Sequence, residues 1–142
     1  MSKRLDGKGM ERLLQALGDE TRLRLLNLMK DEEVCVCFFV GALDALQPKV
    51  SRHLAYLRRV GLVAARRDGK WMHYSYVEPE DPHAAGIVKE ALAWAAEDPK
   101  MHKDRERYKA ACCGMPALVR LGAASRRAKR EPAAASDTAA AR

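Results

Sequence analysis

The sequence predicts a mainly α-helical domain that carries one β-hairpin. Three observations predict it. Apolar residues recur at helical spacing in several separate runs. A basic helix is bounded by Pro48 at its start and Gly61 at its end. Immediately after it, Asp68-Gly69 separates two short runs rich in strand-forming residues.

The elements follow in order. Residues 1–9 are polar and Gly-containing and are expected to fray. Met10 to Leu17 places Leu13, Leu14 and Leu17 on a helix that Gly18 stops. Asp19 has the character of an N-cap, with Glu20 in the first turn of a strongly apolar second helix that ends near Lys30. After the acidic break Asp31-Glu32-Glu33, a third helix is expected from Cys35 to Leu46, with Val36, Val40, Leu43 and Leu46 as its core face. Gln47-Pro48 opens a fourth helix, since proline suits the first helical position. Val50, Leu54 and Leu57 form its inner stripe. Leu62 to Arg67 and Trp71 to Val77 read as the hairpin strands, with Trp71, Tyr74 and Tyr76 packing the hairpin to the core. A fifth helix runs from His83 to Glu97, where Pro99 ends or kinks it, and Lys103 to Cys113 forms a short last helix.

The domain expectation is therefore a flexible 1–9, a folded 10–98, a cysteine-bearing segment 99–124 and a disordered tail 125–142. The tail is Ala-, Arg- and Ser-rich and holds five basic against two acidic residues.

Charge points to a partner. Lys and Arg number 26 against 19 Asp and Glu, a formal +7. Positive charge favours nucleic acid because neutralising phosphates supplies most non-specific affinity. The fourth helix concentrates it: Gln47, Lys49, Ser51, Arg52, His53, Tyr56 and Arg59 occupy the face opposite the apolar stripe. Arg52 can hold guanine with two hydrogen bonds, and Gln47, Ser51 and His53 are short or planar groups suited to base edges. Arg66, Arg67 and Lys70 flank the hairpin tip, where a wing meets the DNA backbone or minor groove. Helix, helix, turn, basic helix and hairpin is the order of a winged helix-turn-helix. A phosphate-cradling glycine loop, a nucleophile elbow and a paired-carboxylate site are all lacking, which argues against an enzyme.

No apolar run follows the charged start, and no stretch nears the roughly 18 apolar residues of a membrane helix. A cytoplasmic chain without a membrane partner is expected. In a reducing compartment, four cysteines point to metal, metalloid or redox chemistry rather than to a disulfide framework.

Three stretches carry a resemblance: Leu17-Gly-Asp-Glu-Thr-Arg-Leu-Arg-Leu-Leu, then Gln47-Pro-Lys-Val-Ser-Arg-His-Leu-Ala-Tyr-Leu-Arg-Arg-Val-Gly-Leu-Val, then Arg67-Asp-Gly-Lys-Trp-Met-His-Tyr-Ser. Together they resemble the ArsR/SmtB repressors over about residues 10 to 98. The resemblance implies a homodimeric transcriptional repressor that binds double-stranded operator DNA and leaves it when an inducer ion binds. It implies dimerisation through the first and fifth helices, with Leu13, Leu14, Leu17 and the Ile87 to Ala95 face meeting across a two-fold axis. Val34-Cys35-Val-Cys37 is similar to the Cys-Val-Cys of the arsenic- and antimony-responsive branch, whose inducer, As(III) or Sb(III), takes three thiolates. Where that branch has a further cysteine, this chain has Val40. The remaining cysteines are Cys112 and Cys113, so a third ligand from one of them, within the protomer or from its partner, is expected. No organic cofactor is implied.

Residues two apart on a helix point roughly 200° apart. Cys35 and Cys37 can therefore share an ion only on a non-helical lead-in or by distorting the helix. Alternatives stay open at this point: a repressor of the same fold switched by thiol oxidation, one blind to metals, or cysteines that merely fill the core. The family's other sensor site, on the last helix, is matched only in part by Asp81, His83 and Glu97, with Trp94 where a second histidine belongs.

Overall fold

The structure is a computed structural model that describes residues 4–113. Its elements run α1 (Gly7–Leu17), α2 (Glu20–Met29), β1 (Val34–Cys35), α3 (Val36–Leu43), α4 (Gln47–Arg59), β2 (Val63–Asp68), β3 (Trp71–Tyr76), α5 (Pro82–Glu97) and α6 (Pro99–Cys113). The expected tail at 125–142 lies outside the described residues.

Local chemistry explains most boundaries. Asp6 caps α1, accepting from the Gly9 N–H at 2.7 Å, so the helix starts three residues before the apolar spacing predicts. Asp19 caps α2 through the Arg22 N–H. The α4 stripe of Val50, Leu54 and Leu57 is fully buried. At the end of α4, Gly61 adopts φ 86°; its N–H bonds to Arg58 and that of Leu62 to Leu57. This double closure needs a left-handed residue, which glycine supplies without steric cost. The hairpin turns at Gly69, φ 62°, with Asp68 opposite Trp71.

The third helix differs from the expectation. It begins at Val36 and ends at Leu43, because Asp44 turns left-handed at φ 51°. Leu46 leaves the core and stands 78% exposed at the N-cap of α4. Leu43 is buried as expected, Phe39 and Ala42 join it in the core, and Val36 and Val40 are only half-buried. The preceding residues form β1, which the sequence reading lacked. It makes the sheet three-stranded in the order β1-β3-β2, all neighbours antiparallel.

Pro99 both ends α5 and opens α6. Asp98 caps α6, accepting from the Met101 N–H at 3.2 Å. The helix is longer than expected and joins the same core. Met101, Asp104 and Tyr108 are buried, and Tyr108 meets Phe38 edge-to-face at 5.7 Å. Asp104 accepts from Arg24 twice at 2.7 Å and from Arg107 at 2.8 Å, while Arg24 also reaches the Leu43 carbonyl. These bonds clamp α6 onto α2 and α3. Among the described residues, no helix is long and apolar enough to cross a membrane.

Candidate nucleic-acid interface and thiol site

Helix α4 presents Gln47, Lys49, Ser51, Arg52 and Arg59 to solvent, as the sequence predicts for a reading face. Arg58 is exposed on the same helix and was missed, although Arg58-Arg59 is visible as a basic pair. Two expected contacts turn elsewhere. Arg22 donates to His53 Nδ1 at 3.3 Å, and Asp19 lies 3.9 Å from the same nitrogen. Burial lowers the pKa of His53 below its usual value; Asp19 opposes this, and Arg22, Lys49 and Arg52 add to it. Tyr56 is half-buried, with the guanidinium of Arg22 4.2 Å and that of Arg59 5.0 Å from its ring centre. Arg22 also bonds the carbonyls of Gln15 and Ala16. It thus ties the end of α1 to the flank of α4, and His53 and Tyr56 face that tie rather than open solvent.

The wing needs a similar correction. Arg67 and Lys70 are exposed at the hairpin, Arg67 bonding the Gly69 carbonyl at 3.2 Å. Arg66 instead turns inward and grips Glu33 through two bonds of 2.6 and 3.1 Å. A fork-to-carboxylate pair of this kind is short and directional, so Arg66 is held away from the tip. Tyr74 packs towards Phe39, as expected, whereas Trp71 stands about half exposed at the tip instead of on the core.

Cys35 is the last residue of β1, buried and extended at φ −72°, ψ 141°. Cys37 lies in the first turn of α3 and is exposed. The change from strand to helix between them resolves the angular problem: Cys37 Sγ donates to Cys35 Sγ at 3.2 Å. Partial burial of its sulfur, then this bond, push the Cys37 thiol up to about 12, although the residue as a whole is open to solvent.

Cys112 and Cys113 end α6. The path of that helix follows from its contacts. Asp104 is linked through Arg24 to Leu43, Arg107 bonds the Ala42 carbonyl, and Tyr108 meets Phe38, so α6 runs antiparallel to α3. Along α2 it runs the other way, with Met101 beside Asn27 and Arg105 bonded to Asp31. Both registers carry the last turn of α6 towards the β1–α3 junction, where Cys35 and Cys37 sit.

The alternative ligand set on α5 does not assemble. Asp81 is the N-cap of α5 and accepts from the N–H groups of Leu5, His83 and Ala84, which hold its carboxylate at the helix start. Among the described residues, no three His, Cys, Asp or Glu side chains converge as a metal site. On the outer side of α1 and α5, Leu14 and Trp94 are half exposed and Ile87 more than a third exposed, whereas Leu13, Leu17 and Ala95 are buried within the protomer.

A helix-turn-helix whose second helix offers an exposed basic face, followed by a β-hairpin, defines a winged-helix DNA-binding regulator. The family described as "Bacterial regulatory protein, arsR family" matches residues 19–65. The arsenical resistance operon repressor of Escherichia coli K12 is 46% identical over 90 residues, covering 63% of this chain and 75% of that protein. An arsenic resistance transcriptional regulator of Pseudomonas putida KT2440 is 38% identical over 92 residues, 61% of this chain and 71% of that protein. Among solved structures, HlyU of Vibrio cholerae N16961 aligns with a TM-score of 0.54 at 28% identity, over 61% of this chain and 91% of that one. The AntR antimony-specific transcriptional repressor aligns at 0.53 and 26% identity, over 68% and 86%. The chain belongs to the arsR family, whose members are transcriptional regulators and not enzymes.

Proposed function

We propose that the protein is a homodimeric repressor that leaves its operator when trivalent arsenic or antimony binds Cys35, Cys37 and one thiol of the Cys112–Cys113 pair. The observation that carries this reading is the 3.2 Å approach of Cys35 and Cys37 at the β1–α3 junction. The arsenical and antimony repressors among its relatives support it. So does the course of α6, which favours a third thiol from the same protomer.

The chemistry fits protonated thiols. Arsenous acid is a neutral trihydroxide, and each thiol that forms an As–S bond gives its proton to a departing hydroxide, which leaves as water. A Cys37 that keeps its proton is therefore a competent partner. A divalent cation would have to expel that proton into solvent. Soft sulfur ligands suit a soft, thiophilic centre.

On DNA, Arg52, Gln47 and Ser51 read base edges, and Lys49, Arg59, Arg67 and Lys70 contact the backbone. Leu14, Ile87 and Trp94 supply the apolar contact of the dimer. Trp94→Arg is expected to convert the dimer to monomer in sedimentation while leaving the helical circular dichroism intact.

The test uses a duplex selected by the reduced protein from a randomised pool. Binding is followed by fluorescence anisotropy as arsenite is added. Release by the parent that Cys35→Ser, Cys37→Ser and the double variant Cys112→Ser/Cys113→Ser all abolish is the expected result. Arsenite that leaves the parent on the duplex would refute the reading. The close sulfur pair also favours a second reading, in which a peroxide withdraws two electrons and two protons and joins the sulfurs as a disulfide. Release by peroxide without arsenite would select it.

A further inference from the structure

We infer that the wing is the output arm of the thiol pair, and that Glu33 and Arg66 are the positioning residues that carry the signal into it. The inference rests on the reading of Cys35 and Cys37 as the sensing thiols, and deepens it by naming the element they act on.

The strand that holds Cys35 is a strand of the wing. β1 pairs with β3 so that Cys35 lies opposite His73, and β3 pairs with β2 so that His73 lies opposite Arg66. Cys35, His73 and Arg66 thus form one transverse row across three strands. A second connection closes the row from outside. Glu33, two residues before Cys35, reaches over β3 to take both guanidinium bonds of Arg66, and its carboxylate lies 3.8 Å from His73 Nδ1. The side chains of Glu33 and Arg66 are only 8% and 23% exposed. From Arg66, β2 continues directly to Arg67 and the hairpin turn.

This arrangement leaves little slack. Cys35 is buried, and its backbone lies within a ladder whose register is set by the facing strand. Drawing its sulfur onto an ion shared with Cys37 breaks the thiol–thiol hydrogen bond and pulls on the β1–α3 junction. β1 either moves with the wing or loses its grip on it. The structure holds the Glu33–Arg66 pair gripped, and a partly buried ion pair is costly to leave half-made, so a shift of β1 that cannot carry Arg66 with it must release the pair as a whole. It is the physical element whose equilibrium both the thiols and the wing can bias.

The test uses the reduced full-length chain and phenylarsine oxide, a trivalent arsenical that bridges two thiols and so needs no third ligand. Mass spectrometry counts the adduct and peptide mapping confirms that it sits on Cys35 and Cys37, and amide hydrogen exchange is read over residues 63–76 and, separately, over α4. In the parent, one adduct per chain is expected to change exchange in the hairpin by about five-fold or more, the lower end of ordinary coupling. In Glu33→Gln the adduct should form equally while the hairpin response shrinks towards none; Arg66→Lys, which keeps the charge but loses the fork, should do the same. An adduct that leaves the parent's hairpin unchanged overturns the inference, as does a Glu33→Gln protein that responds like the parent. Arsenite-driven release from DNA, measured in parallel, separates the two claims. Release with a silent hairpin leaves the repressor reading standing and sinks this one. A responsive hairpin without release does the reverse. A chain that takes up no arsenical sinks both.

Discussion

Asp104 is the residue on which the docking of α6 turns, and its removal should detach the helix. The carboxylate is fully buried and receives three charge-assisted bonds, two from Arg24 and one from Arg107. Asp104→Ala leaves the Arg24 guanidinium, only 11% exposed, without its partner. Stranding a buried charge in this way costs about 3–5 kcal/mol, and the residual access of Arg24 to water places the cost at the lower end. Burial of Met101 and Tyr108 contributes about 1.5–3 kcal/mol each, against which stands the entropy of ordering a terminal helix. The loss is thus comparable to the whole docking energy of α6. The cheaper response is for α6 to come away, letting Arg24 reach water, while α1 to α5 keep their core. Hydrogen exchange should show α6 amides losing protection with α2 and α4 nearly unchanged. Asp104→Asn, which still accepts from one guanidinium nitrogen, should lie between. Arsenite affinity should fall in step, although no sulfur has been altered. An Asp104→Ala protein whose α6 amides stay protected would refute the clamp.

Three further outcomes are expected. Arg52→Ala should cost about 1–3 kcal/mol on the selected duplex and relax preference at one position, whereas Lys70→Ala should weaken all duplexes alike and reduce the salt slope by about one; anisotropy at several salt concentrations distinguishes them. Arsenite affinity should stay nearly flat between about pH 6 and 8, because the thiol protons leave as water; affinity for a divalent cation at the same thiols should rise about tenfold per pH unit for each proton expelled. Asp81 accepts from the Leu5, Ala84 and His83 N–H groups, which hold its carboxyl below the ordinary 3.8. A depressed carboxyl stabilises the fold above its ordinary value, and that stability is lost as pH falls through the folded one. The gap in urea midpoint between the parent and Asp81→Asn should therefore be constant near neutrality and close below about pH 4.

What the sequence made legible shares one property: its signals are local. Asp19, Pro48, Gly61 and Asp68-Gly69 each act within a few residues of their own position, and the elements they bound stand as expected. The exposure of Gln47, Lys49, Ser51, Arg52 and Arg59 on α4 was legible for the same reason. What could not be read depends on partners far along the chain. Leu46 has the chemistry of a core residue, and only the left-handed turn at Asp44 takes it out of the helix that would have buried it. The inward stripe of α6 is spaced as a helix demands, but its middle member is Asp104, which reads as solvent-facing until Arg24 is placed beside it. His53, Tyr56 and Arg66 have side chains that DNA would accept, yet Arg22 and Glu33 hold them within the protein.

The thiol site shows why this division matters for function. The spacing of Cys35 and Cys37 raised an angular conflict that no local signal could resolve. β1 resolves it, and a two-residue strand has no periodicity of its own; it exists because β3 lies beside it. The family match at 19–65 includes the reading helix and both of these cysteines, but stops short of β3 and of α6. Those are the strand that pairs Cys35 into the wing sheet and the helix that ends on Cys112 and Cys113. The matched stretch therefore identifies a regulator and contains two of its cysteines, while the proposed route from thiol to DNA depends on contacts beyond it. A relative that shares the Cys-Val-Cys but lacks the Arg24–Asp104 clamp or the Glu33–Arg66 grip has no reason to be wired in the same way.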